Sequence, residues 1–105
     1  MSKRLKLMVD YECFPLWDLD EPANLDPTTL PLPPNLCDEL VAWARCYDLT
    51  LDRANPAASG FRSTGEAESF ESQGLRLWAE LRQALGPTYE VYYFSEVRRV
   101  LVKPT

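Results

Sequence analysis

Residues 4–34 read RLKLMVDYECFPLWDLDEPANLDPTTLPLPP, and the way this stretch divides decides the architecture. Leu5, Leu7 and Val9 alternate with Arg4, Lys6 and Met8, a period of two that predicts a strand over 4–11 with one apolar face. Beyond Tyr11 the periodicity stops. Six of the nine prolines (Pro15, Pro22, Pro27, Pro31, Pro33 and Pro34) lie between 15 and 34. Each removes a backbone donor and fixes φ, so the segment is expected to be an irregular connection, neither helix nor central strand. A connection of about twenty residues is long for a small domain, and such loops are more often functional than idle.

Working outward, Leu36, Leu40, Trp43, Ala44, Tyr47 and Leu51 recur at three- and four-residue steps, which predicts a helix from Pro33 or Pro34 to about Leu51. A turn-rich linker, DRANPAASGF, covers 52–61. Ser63 and Glu66 have the spacing of a capping box and open a second helix with the stripe Phe70, Gly74, Leu77, Trp78, Leu81, Ala84 and Leu85. Gly86 and Pro87 end it. Gly74 on the apolar face costs about 1 kcal/mol of helix propensity against alanine, which predicts a close approach by a neighbouring element. Tyr89 to Phe94 and Val97 to Lys103 are β-branched and aromatic, a hairpin turning at Ser95 and Glu96. The expected fold is therefore α+β, one domain over 1–105. A three-stranded sheet carries two helices on one face, in the order β-α-α-β-β, with Trp43 and Trp78 anchoring the core.

At 105 residues with 46% hydrophobic content the chain can bury a single core. No apolar run approaches the roughly 20 residues of a membrane span. The start MSKRLKLMVDY lacks the apolar core and cleavage site of a signal peptide, so the expected location is the cytoplasm. Cys13, Cys37 and Cys46 have no zinc or redox spacing and there is no histidine, so no metal, no cofactor and only free thiols are expected. The net charge of −5 is lopsided: residues 1–52 hold ten acids and four bases, residues 53–105 six acids and seven bases. An acidic half argues against the phosphate-neutralising face of a nucleic-acid binder and suits a basic protein partner.

The functional signal lies in 10–26, DYECFPLWDLDEPANLD, which has six carboxylates and no base. Asp10, Glu12, Asp18, Asp20, Glu21 and Asp26 would meet Lys or Arg on a partner, with Tyr11, Phe14 and Trp17 as anchors. On this reading, reversing Asp18 and Asp20 to lysine weakens binding and leaves the fold intact. The bland reading is a solvated loop whose aromatics fold back on the sheet. If the first helix is the interface instead, Asp38, Asp48 and Asp52 take over the acidic role.

Catalysis finds little support. The commonest general base is absent, and Glu12 beside Cys13 raises the thiol pKa, the opposite of activation. Asp18 and Asp20 open a calcium-loop spacing, but Pro22 and Ala23 occupy its fifth and sixth positions, where a ligand and a glycine are needed. Arg98, Arg99 and Lys103 near Tyr89, Tyr92 and Tyr93 are too few for an RNA-binding sheet. No enzymatic activity is expected. The competing classes are a generic interaction or regulatory module and, less well supported, a small carboxylate-dependent enzyme.

The opening KLMVDYECFPLWD, the prolyl run before the first helix and the SGF of 59–61 before an acidic-start helix resemble bacterial immunity proteins. These are small acidic proteins encoded beside polymorphic or contact-dependent growth-inhibition toxins. The resemblance implies a protein that binds a toxin domain delivered by a neighbouring cell and neutralises it. It further implies that the toxin is commonly a nuclease with a basic cleft, which a carboxylate-rich loop would fill. It carries over no residue roles, and neither toxin identity nor oligomeric state follows from it.

Overall fold

The computed structural model describes residues 3–51, 54–55 and 60–104. Strand β1 (Lys3–Leu7) leads into two short strands, β2 (Leu16–Asp18) and β3 (Ala23–Leu25). A 3-10 turn at Pro27–Thr29 precedes helix α1 (Pro34–Asp48). Helix α2 (Thr64–Leu85), a second 3-10 turn, β4 (Tyr89–Ser95) and β5 (Val100–Val102) complete the order β-β-β-α-α-β-β. Most of the predicted linker over 52–61, Asp52 and Ser59 included, lies outside the described residues.

The sheet is larger than the three strands expected. Among the described residues it has five, in the order β3-β2-β1-β4-β5. β1 and β4 pair in parallel at its centre, Lys3 opposite Tyr89 through Leu7 opposite Tyr93, and every other pair is antiparallel. The two additional strands come from the proline-rich stretch. Pro15, Pro22 and Pro27 stand before, between and after β2 and β3 and interrupt neither. Six residues lie between Pro15 and Pro22 and four between Pro22 and Pro27, room enough for the three-residue strands that extend the sheet toward its edge, where a missing donor costs little.

Leu5, Leu7, Leu16, Val91 and Tyr93 point to one face and form a single core with Leu36, Leu40, Trp43, Phe70, Leu77 and Leu81 from the helices. Trp43 is buried and donates its indole N–H to the Phe70 carbonyl at 3.0 Å. Half-buried Trp78 donates to the Val91 carbonyl at 2.7 Å. Gly74 lies where α2 meets β4: a Cβ there would stand 2.5 Å from Tyr93 Oη and 2.6 Å from Trp43 Cζ2. Beside it Glu71 accepts hydrogen bonds from the Tyr93 and Ser95 hydroxyls and pairs with Arg98 at 3.4 Å. Burial, then that carboxylate, push the Tyr93 phenol pKa well up.

Several boundaries shift. α1 stops at Asp48, three residues short of Leu51. Ala84, expected on the buried stripe, is exposed, while Phe70, Gly74, Leu77, Leu81 and Leu85 are buried. Ser63 caps α2 by accepting the Glu66 N–H at 3.1 Å, and Gly86 ends it at φ 66°. The β4–β5 turn spans four residues, 96–99, where two were expected. Its geometry comes from Ser95, whose hydroxyl accepts the Arg98 N–H at 3.0 Å and whose carbonyl accepts the Arg99 N–H at 2.7 Å. Arg99 closes the turn in the left-handed region, φ 56°. No helix among the described residues is long and apolar enough to cross a membrane.

Candidate partner-binding surface

The acidic segment divides into carboxylates that brace the β2–β3 hairpin and carboxylates exposed on the β1–β2 loop, where Asp10 accepts the Tyr11 N–H at 2.8 Å. Asp18 faces the core side of the sheet, 6% exposed. Its carboxylate accepts the N–H groups of Asp20 (2.9 Å) and Glu21 (3.1 Å) and pairs with Lys3 at 3.2 Å. The Glu21 amide above all holds this carboxyl below the ordinary carboxylate range. Asp20 clamps Arg4, accepting its backbone N–H and its Nε, both at 2.9 Å. Asp26 caps the first 3-10 turn, accepting from the Thr28 N–H at 2.9 Å and hydroxyl at 2.8 Å. Both are likewise held low by those backbone amides first. These three carboxylates shape the β2–β3 hairpin. Reversing Asp18 and Asp20 therefore disturbs the fold as well as the surface. Glu21 is exposed in the turn between the two strands.

The anchors also separate. Tyr11 turns inward, stacking on Tyr47 with ring centroids 4.5 Å apart and its hydroxyl 3.1 Å from Thr50 Oγ1. Trp17 lies half-buried on the sheet face away from the helices, cross-strand from Lys6, and donates to the Met8 carbonyl at 2.9 Å. Tyr92 and Phe94 continue that face. Phe14 alone among the three is exposed, at 41%.

What remains presented is the β1–β2 loop, 10–14. Asp10 and Glu12 are exposed on it, and Glu12 sits in the left-handed region at φ 60°. Two side chains from elsewhere fix its backbone. Asp48 at the end of α1 accepts the Glu12 N–H at 3.0 Å, and Asn24 of β3 accepts the Phe14 N–H at 3.0 Å while donating to the Phe14 and Leu16 carbonyls. Asp48 thus stands beside the loop, so loop and helix contribute to one acidic surface. Their joint field acts on Cys13, whose thiol pKa is raised by burial first and then by Asp10, Asp48 and Glu12. A nucleophilic thiolate is disfavoured there. No group of three or more His, Cys, Asp or Glu among the described residues could hold a metal ion.

Two hollows flank the loop. One, of about 310 Å³, has Glu12, Phe14, Asn24, Arg45 and Asp48 in its wall. The other, of about 300 Å³, is lined by Tyr11, Tyr47, Thr50, Phe61 and Glu96 among others. Glu96 and Phe61 were not foreseen as surface-site residues, because a glutamate in a hairpin turn and a phenylalanine in a linker carry no pattern of their own. Tyr47 was visible only as one member of an apolar helix stripe.

Among curated proteins none matches the chain. The family model described as Serratia CdiI immunity protein-like matches residues 3–96, which take in β1 through the start of the β4–β5 turn.

Proposed function

The chain belongs to the Serratia CdiI immunity protein-like family, and from that membership we propose how it acts: as a cytoplasmic inhibitor without enzymatic activity, binding the toxin domain of its own growth-inhibition system. Neutralisation is by stoichiometric occlusion of a basic cleft, the substrate cleft of a nuclease. The contact is the segment 10–26 with its roles divided. Asp10, Glu12 and Glu21 supply charge and Phe14 an anchor, while Asp18, Asp20 and Asp26 hold the segment in shape and Tyr11 and Trp17 seat it on the helix and the sheet.

The observation that carries this reading is the fixed, strained and acidic loop 10–14. A glutamate at positive φ costs about 1 kcal/mol or more, and such strain persists where the surroundings over-determine it. Here Asp48 and Asn24 supply the determination. A loop fixed before binding loses little conformational entropy on association. Asp10 and Glu12 on the β1–β2 loop, with Asp48 beside them, form an acidic group that steers a basic partner and speeds its encounter.

The test pairs the protein with the toxin domain encoded beside its gene. Wild type should protect cells producing that domain and bind it one-to-one, with an association rate that falls as salt rises. Asp10→Lys with Glu12→Lys should weaken binding more than about tenfold, with the far-UV circular dichroism spectrum of the folded protein retained. Undiminished affinity would move the contact elsewhere, first to the opposite sheet face of Trp17, Tyr92 and Phe94. Absence of protection by wild type would remove the immunity function itself.

A further inference from the structure

The hollow beside Tyr11 has a chemistry of its own. Tyr11 and Tyr47 are stacked within 13° of parallel, and with Phe61 they give the wall its aromatic part, beside Thr50, Ala67 and Val97. Among the described lining residues the charged group is the Glu96 carboxylate, whose side chain is only 16% exposed. Its Oε1 accepts the Tyr47 hydroxyl at 3.1 Å and pairs with Arg99. Its Oε2 takes no hydrogen bond from the described residues.

An apolar occupant would strip water from that second oxygen and return nothing, a cost of about 1–3 kcal/mol for a buried acceptor and more for a charged one. A cation returns a charge-assisted hydrogen bond, and aromatic faces add roughly 0.5–2 kcal/mol of cation–π attraction. The fold already carries one such pairing, since Arg99 sits on the same carboxylate and 5.2 Å from the Phe94 ring centroid. Tyr11 belongs to the acidic loop, so the hollow continues the surface described above.

We propose that this hollow receives a lysine or arginine side chain of the toxin domain, with Glu96 Oε2 as acceptor and Tyr11, Tyr47 and Phe61 as the aromatic wall. The proposal rests on the immunity reading for the identity of the partner; the pocket chemistry can be read without it. Titrating the isolated protein with N-acetyl-arginine amide, followed by amide NMR, should move Tyr11, Tyr47, Phe61 and Glu96 together. The neutral isostere N-acetyl-citrulline amide should move them far less. Glu96→Gln keeps an acceptor for Tyr47 and preserves the fold, and it should weaken arginine binding at least about fivefold.

Equal responses to the two probes, or an unchanged response in Glu96→Gln, would overturn the cationic pocket. So would a Glu96→Gln protein that binds the toxin domain as tightly as wild type, and that result would leave the immunity function standing. Toxin affinity lowered by Glu96→Gln in parallel with arginine affinity would support the proposal. If wild type ignores the toxin domain yet takes arginine through Glu96, the immunity reading and this occupant fall, and only the site's cation chemistry remains.

Discussion

Gly74 shows what one missing side chain permits. A Cβ would meet the Tyr93 hydroxyl and the indole of Trp43 well inside contact distance, and Trp43 is locked by its bond to Phe70. Overpacking of this kind costs about 1–3 kcal/mol, whereas alanine regains only about 1 kcal/mol of helix propensity. Gly74→Ala should therefore lower the urea midpoint despite improving the helix. This position was readable in the sequence, because glycine on an apolar stripe needs a packing reason. Asp18 was not. As a letter in an acidic run it looks like its exposed neighbours, and only strand alternation turns it inward against Lys3. The folded pKa values of Asp18, Asp20 and Asp26 lie below the ordinary 3.8. Their contribution to stability is complete above that value and is lost as pH falls through the folded values. The urea midpoint should hold from neutral pH down to about the ordinary carboxylate value and drop below it. Asp18→Asn should flatten the drop.

At the scale of elements, helices were legible and the first hairpin was not. A 3.6-residue period needs only apolar residues in the right places, and both helices have it over many residues. β2 and β3 are three residues each, too short for alternation to register, and the proline count argued against them. The hairpin exists through side-chain bonds that no local pattern encodes. Asn24 holds Phe14 and Leu16 with three of them. Net contributions near 0.5–1.5 kcal/mol each put the loss in Asn24→Ala at about 1.5–4.5 kcal/mol. Hydrogen exchange should speed up at Phe14 and its neighbours while the amides of β4 stay protected. The last hairpin was readable in kind but two residues off in its turn, because the hydroxyl of Ser95 rather than the strand pattern sets where it closes.

For the molecule as a whole, the α+β class, the two helices on one face and the anchoring tryptophan Trp43 followed from patterning. The mixed pairing did not, since direction is settled by which strands end up adjacent. The surface is half legible: charge and aromatics mark the segment 10–26 as acidic and apolar together, but cannot distinguish the carboxylates that brace the β2–β3 hairpin from those exposed on the β1–β2 loop. The parallel ladder between β1 and β4 has one more consequence. Its partners, Lys3 to Leu7 and Tyr89 to Tyr93, come from opposite ends of the described chain, with both helices between them. A ribosome releases β1 long before β4, so the central ladder cannot zip until both helices and the strand after them have emerged, and contacts of such wide sequence separation form slowly. On the immunity reading, protection then trails translation. A cell relying on this protein does better with a standing stock of finished copies than with a burst made after the attack begins.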